Sequence, residues 1–193
     1  MLQPCQTLAP WVTLKTATTA DGYIAQQDGT SKWITGEAAR ENGHFLRSRN
    51  DAILTGSGTY LFDKPQLTVR LKGIEDTSPA PHVLDRRGRI KESDFTIRNE
   101  QTLSELLHNM ATEGVNYLMV EAGAALSHSF MEQGLIDELY WYRSPRHFGK
   151  GIPAFDHAER VIDLEQLKMN ELSLGIDTLT IYRFTNPQSL IGD

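Results

Sequence analysis

The stretch DAILTGSGTYLFDKPQLTVR, Asp51 to Arg70, runs from an apolar strand into a Gly/Ser/Thr turn and then presents Thr59, Asp63 and Arg70. A strand ending in small residues lets backbone N–H groups approach an anion, and a hydroxyl, a carboxylate and a guanidinium can address its polar parts. A phosphorylated ligand fits that pattern. A second turn of this kind, Glu121-Ala122-Gly123-Ala124-Ala125, follows the apolar run Val115 to Val120. Its small residues permit either a helix N-terminus whose N–H groups at Gly123, Ala124 and Ala125 hold a pyrophosphate, or close packing of helix on strand. Trp33 stands between Ser31 and Thr35 on a polar loop, where an indole either packs against a flat ring or caps the core. Arg47 and Arg70 make a fork around a phosphate or, taken singly, surface ion pairs. Lys15 lies in an alternating strand, as an exposed residue or as a cation lining a cleft.

Other chemistries find little support. The six histidines, His44, His82, His108, His128, His147 and His157, show no metal-ligand spacing. The one cysteine, Cys5, excludes an internal disulfide and a cysteine-rich zinc site. No GxSxG elbow supports nucleophilic hydrolysis. A net charge of −6 argues against general nucleic-acid binding. No apolar run is long enough to span a bilayer and residues 1–10 lack a signal-peptide pattern, so a soluble cytoplasmic protein is expected.

The elements that must position these residues are legible in outline. A chain of 193 residues with 39% hydrophobic and 23% charged residues suits one globular domain. The expected division is an N-terminal stub 1–10, a domain 11–185 and a tail 186–193. Trp11 to Thr18 reads as a strand closed by Asp21-Gly22, and Tyr23 to Ala25 as a second extended piece. Thr35 as N-cap, Glu37 in the first turn and Arg47 and Arg49 in the last predict a helix over Gly36 to Arg49. Asp51 to Leu54 reads as a buried strand, Gly73 to Pro81 as a linker, and His82 to Leu84 as a short strand entering the turn Asp85 to Gly88. Thr102 and Glu105 form a capping box before Leu103, Leu106, Leu107 and Met110, with Gly114 as the stop. After the strand Val115 to Val120 a further helix runs to near Gly134. Alternating strands and helices imply parallel pairing. From Asp137 onward strands dominate: Glu138 to Arg143, Val161 to Leu164, and a hairpin from Glu171 to Phe184.

Taken together, LKTATTADGYIA (Leu14 to Ala25), DGTSKWIT (Asp28 to Thr35), the Asp51 to Arg70 stretch, VEAG (Val120 to Gly123) and GLIDELYWYRSP (Gly134 to Pro145) strongly resemble the reductase domain of bacterial riboflavin-biosynthesis deaminase/reductases. The similarity spans residues 11 to about 155. It implies an α/β, dihydrofolate-reductase-like three-layer fold, with a mixed, mainly parallel central sheet and C-terminal antiparallel strands. It also implies NADPH as cofactor and reduction of the ribosyl chain of 5-amino-6-(5-phosphoribosylamino)uracil to a ribityl chain. Matched position by position, Ser31, Arg47, Leu67, Arg70 and Glu121 contact the substrate. Ala17, Trp33, Thr59, Asp63 and the run Gly123, Ala124, Ala125, Leu126, Ser127, His128 and Ser129 contact the cofactor. Lys15 matches a family lysine near the ribose, and Lys15 and Asp63 are the candidates for proton handling.

Two departures accompany the resemblance. Family members usually carry EGG followed by proline where this chain has Glu121-Ala122-Gly123-Ala124, and often a serine where Arg86 follows Asp85. Arg86 or Arg87 is expected near the adenosine phosphate. No H-x-E paired with P-C-x-x-C occurs, so deamination is expected from a separate protein. A homodimer is implied, with Tyr140-Trp141-Tyr142 as a candidate surface. The alternatives are a reductase of another pterin-like or aminopyrimidine substrate on the same fold, and a catalytically idle nucleotide-binding homologue.

Overall fold

The computed structural model describes residues 8–155 and 164–184. Strand β1 (Trp11–Thr18) and the short β2 (Tyr23–Ala25) lead to helix α1 (Glu37–Arg47), followed by β3 (Ala52–Gly56), α2 (Ser57–Asp63), β4 (Ala80–Leu84) and β5 (Thr96–Arg98). Then come α3 (Leu103–Thr112), β6 (Tyr117–Val120), α4 (Ala124–Glu132), β7 (Glu138–Arg143), β8 (Ile152–Pro153), α5 (Leu164–Leu167), β9 (Lys168–Leu174) and β10 (Asp177–Arg183).

One eight-stranded sheet has the order β5-β4-β3-β6-β1-β7-β10-β9. Every neighbouring pair from β5 to β7 is parallel, while β7–β10 and β10–β9 are antiparallel. Side chains alternate across a strand, and here both sets are buried. Val12, Leu14, Ala52, Leu54, Leu118 and Val120 pack with Leu103, Leu106 and Met110 of α3 and Phe130 of α4. Ile53, Val83 and Met119 pack on the opposite face with Leu46 of α1. The result is the expected three-layer, mainly parallel α/β architecture, and it aligns the carboxyl ends of the central strands at one edge.

Local capping differs from the sequence reading in instructive ways. Helix α1 starts at Glu37 after Gly36, with no side chain of its own as cap. The first-turn donor is instead met by Asp177 of β10, whose Oδ2 accepts the Gly36 N–H at 2.6 Å. For α3, Thr102 Oγ1 accepts the Glu105 N–H at 3.1 Å, but the Glu105 carboxylate reaches back to the Gln101 N–H, one residue beyond the N-cap N–H that a reciprocal capping box would use. The Gly56-Ser57-Gly58 turn is the start of α2, which ends where Lys64 turns left-handed at φ 45°. Residues 80 and 81, read as linker, already belong to β4, and β5 was not anticipated. Of the predicted strand Val161 to Leu164, residues 161–163 lie outside the described residues and Leu164 begins α5. Residues 1–7 and 185–193 also lie outside them.

The proposed surface on β7 is corrected by burial: Trp141 and Tyr142 are 6% and 1% exposed. Strand β7 is hydrogen-bonded on both edges, to β1 and β10, so it offers no free edge. Among the described residues no helix is long and apolar enough to cross a membrane.

Where β2 pairs with β8, the backbone approaches closely at Gly151. A Cβ on Gly151 would drive into the Ala25 carbonyl oxygen and lie 2.9 Å from Tyr23 Cγ. Because the obstacle is backbone, Gly151→Ala is expected to destabilise the protein by about 1–3 kcal/mol, as overpacked sites do. Urea unfolding measures it; an unchanged midpoint would show that β2 and β8 separate freely.

Candidate active site

The carboxyl ends of parallel strands are where open α/β sheets bind ligands, and here they floor a cleft of about 790 Å³. Register explains what reaches it. Leu14 pairs with Val120, the last residue of β6, so Lys15 to Thr18 extend past the end of that strand. Lys15, Thr16 and Ala17 therefore line one wall. Glu121 follows Val120 directly, and its N–H donates to the Leu54 carbonyl of β3 at 3.0 Å, fixing its backbone at the cleft floor.

Glu121 is the electrostatic centre. Arg47 reaches it from the last turn of α1, Nε donating to Oε1 and Nη2 to Oε2, both at 2.9 Å. Lys15 Nζ stands 3.9 Å from Oε2. Burial works to raise this carboxyl, but the charges of Lys15 and Arg47 and the Arg47 hydrogen bonds outweigh it and hold it down to about 2. Glu121 is thus a fixed anion, with lone pairs left to accept N–H groups from a ligand. Beside it, Tyr142 donates its hydroxyl to Asn42 Oδ1 at 2.7 Å. Burial, and then the Glu121 charge, push its phenol far up, so it stays neutral. Lys15 Nζ lies 5.7 Å from the centre of that ring.

The far wall is the segment after α2. Lys64 and Leu67 both have positive φ, 45° and 54°, a conformation costly for non-glycine residues. The chain doubles back there, so the Thr68 carbonyl meets Arg47 Nη1 at 2.9 Å, while Leu67 is buried against Leu46 and Ile53. Among the described residues Arg70 makes one hydrogen bond, Nη1 to Gln66 Oε1 at 3.1 Å. The two arginines thus differ in kind: Arg47 is clamped between a carboxylate and a carbonyl, whereas the exposed Arg70 keeps donors for a ligand.

The near wall carries Ser31, Trp33 and Thr35, facing Thr59 and Asp63 of α2 across the same cleft. Trp33 is 57% exposed. The Arg40 guanidinium lies 4.8 Å from its ring centre, and Arg146 Nη1 donates to its carbonyl at 2.6 Å. Thr59 Oγ1 accepts the Gly123 N–H at 3.1 Å, tying α2 to the turn before α4. A Cβ on Gly123 would itself come within 3.1 Å of that oxygen, so the absent side chain keeps this junction close.

Lys15, Ala17, Ser31, Trp33, Arg47, Thr59, Asp63, Leu67, Arg70, Glu121 and Gly123 all line one cleft. Ala124, Ala125, Leu126, Ser127, His128 and Ser129 belong to α4 and do not line it. Ser127 Oγ donates to the Ala122 carbonyl and Ser129 Oγ to the Ala125 carbonyl, and His128 pairs with Glu132 at 3.7 Å. At the start of α4 the N-cap Gly123 has no side chain to cap the first turn, and its own N–H is taken by Thr59 Oγ1. Arg86 and Arg87 also lie outside the lining; Arg86 Nε donates to the Glu100 carbonyl, and Arg89 Nη2 to Ser57 Oγ at 2.5 Å. The sequence gives no site role to His44 or Arg40 and places Tyr142 on a candidate dimer surface, yet all three are cleft residues. His44 lies one turn before Arg47 on α1, which was the available signal.

Residues 10–177 match the family model described as RibD C-terminal domain. The riboflavin biosynthesis protein RibD of Corynebacterium ammoniagenes is 39% identical over 165 residues, covering 81% of this chain and 49% of that protein. The chain therefore spans about half the length of that relative. A solved diaminohydroxyphosphoribosylaminopyrimidine deaminase/5-amino-6-(5-phosphoribosylamino)uracil reductase from Thermotoga maritima superposes with a TM-score of 0.77 at 27% identity, over 92% of this chain and 57% of that one. Dihydrofolate reductase from Enterococcus faecalis aligns with a TM-score of 0.58 at 13% identity, covering 91% and 97% of the two chains, which shows the shared fold. With the matched region covering most of its length, this chain belongs to the RibD C-terminal domain family.

Proposed function

We propose that the chain catalyses NADPH-dependent reduction of the ribosyl chain of 5-amino-6-(5-phosphoribosylamino)uracil to the ribityl product in riboflavin biosynthesis. The observation that carries this reading is the single cleft in which Arg70 and the Arg47–Glu121–Lys15 cluster face the Gly123 turn. In this reading the cleft takes two anionic molecules side by side. The residues present suit a dinucleotide: the first turn of α4 after Gly123 offers its N–H groups to a pyrophosphate, and Trp33 offers an exposed indole to a flat ring. When bound, the reduced nicotinamide supplies the hydride that C1′ of the opened sugar accepts.

The chain's own groups place and charge the substrate. Arg70 anchors the phosphate away from the reacting carbon, so binding energy is used to fix the sugar. Glu121, anionic at every physiological pH, accepts N–H groups of the aminouracil edge and stays oriented by Arg47. Lys15, beside the same Glu121 oxygen as Arg47, orients ribose hydroxyls and donates the proton that the imine nitrogen takes up as C1′ gains hydride, the C–N bond staying intact. Ser31 and Leu67 close the substrate side, and Ala17, Thr59 and Asp63 the cofactor side. The enzyme is further proposed to act in the cytoplasm as a homodimer, with deamination carried out by a separate catalytic unit.

The deciding measurement is loss of reduced-nicotinamide absorbance with the authentic phosphoribosylaminouracil. Turnover with it and none with dihydrofolate is expected, with NADPH preferred over NADH. Turnover only with another pterin-like or aminopyrimidine substrate would replace the substrate in this reading, and NADPH binding without oxidation would mark an idle homologue.

A further inference from the structure

His44 stands beside Arg47 in the cleft that Arg70 also lines. It lines the cleft from α1, one turn before Arg47. Its Nδ1 lies 3.1 Å from the Thr68 carbonyl. A carbonyl oxygen only accepts, so Nδ1 carries the hydrogen and Nε2 is the basic nitrogen. Arg47 Nη1 donates to the same carbonyl and sits 3.5 Å from Nδ1. The imidazole is therefore pinned in ring orientation and tautomer by a backbone atom, leaving one nitrogen free to titrate inside a cationic wall.

We propose that His44 is a third phosphate-binding residue of this cleft, neutral while the cleft is empty and protonated at Nε2 when a phosphate monoester settles between Arg70 and Arg47. This rests on the phosphate placement in the proposed function and extends it with a residue and a proton. The charged groups facing the ring are Arg47 from its own helix, Arg70 from the segment after Leu67, and Glu121 from the end of β6. Burial first, then Arg47 and Arg70, hold the imidazole below its ordinary range, with Glu121 opposing them. A dianionic phosphate reverses the sign of that local field. The proton then comes from solvent, Nε2–H donates to a phosphate oxygen, and no covalent bond changes. Binding is thereby coupled to proton uptake, tightening as pH falls through neutrality until the phosphate itself takes up its second proton near about 6.

The test uses the full chain and ribose 5-phosphate as the probe, titrated calorimetrically at pH 7.5 in buffers of different ionisation enthalpy. His44→Asn keeps an N–H donor for the Thr68 carbonyl and removes the titrating nitrogen. Proton uptake by the wild type is expected to exceed that of His44→Asn by about half a proton per phosphate. The variant is expected to bind about tenfold more weakly at pH 7, the cost of one charge-assisted hydrogen bond, with the difference vanishing at pH 9. Equal affinity and equal uptake, with Arg70→Ala still weakening binding, would overturn the role of His44 and leave the phosphate site standing. Weaker binding with unchanged uptake would mark a steric effect and also overturn it. Indifference of ribose 5-phosphate binding to Arg70 and His44 alike would overturn both this role and the phosphate reading beneath it.

Discussion

Replacing Glu121 by alanine is expected to destabilise the protein by about 3 kcal/mol and to abolish turnover. Two physical routes lead to the same figure. Removing one partner of a buried ion pair costs about 3–5 kcal/mol because the other charge is left unpaired. Arg47 and Lys15 side chains are 14% and 23% exposed, so solvent reaches both and the lower end applies. Linkage gives the second route. The Glu121 carboxyl lies at about 2 in the folded protein against an ordinary 4.5, a shift worth about 3 kcal/mol at about 1.4 kcal/mol per pH unit. Because the folded value is depressed, this stability is fully present above pH 4.5 and is lost as pH falls toward 2. Glu121→Gln keeps the shape but not the charge, so its unfolding free energy should change less than that of the wild type across that acid window. Urea unfolding from pH 7 down to pH 2, alongside turnover at pH 7, makes both comparisons. Equal acid slopes for wild type and Glu121→Gln would remove Glu121 from the centre of the electrostatics.

Local pattern made much of this frame readable, and long-range pairing made up what was not. Strand β7 was read with its observed bounds, Glu138 to Arg143, because a compact alternating segment between turn signals leaves one solution. Helix α2 was hidden because Gly56-Ser57-Gly58 carries poor helix formers in the first turn; the end of β3 and the Thr59 contact to Gly123 hold it, not propensity. Asp177 as the cap of α1 lies 141 residues away in the chain, beyond any local pattern. At the site, alternation alone left Lys15 either exposed or lining a cleft. The Leu14–Val120 register settles it by carrying β1 past the end of β6. The arginine fork was half legible: both guanidiniums reach the cleft, but sequence could not show that Arg47 is engaged by Glu121 and Thr68.

That asymmetry makes Arg70→Ala the sharpest test of ligand placement. Arg70 is exposed and, among the described residues, its one hydrogen bond is to Gln66, so its removal should leave the unfolding midpoint unchanged. A charge-assisted bond to phosphate contributes about 1.5–3 kcal/mol, which corresponds to KM for the phosphorylated aminouracil rising about 10–100-fold. The reacting carbon is remote from the phosphate, so kcat should fall far less than KM rises, and NADPH affinity should hold. Arg70→Lys should recover part of the loss, since an ammonium restores the charge but not the two-pronged geometry. The wild-type KM should also rise with ionic strength, and that dependence should flatten in Arg70→Ala as the screened attraction disappears. Arg47→Ala should behave differently, losing stability together with turnover, because its guanidinium holds Glu121 in place. Identical profiles for the two arginine variants would mean that the fork acts as one unit on the phosphate and that the Arg47–Glu121 pair opens when substrate binds.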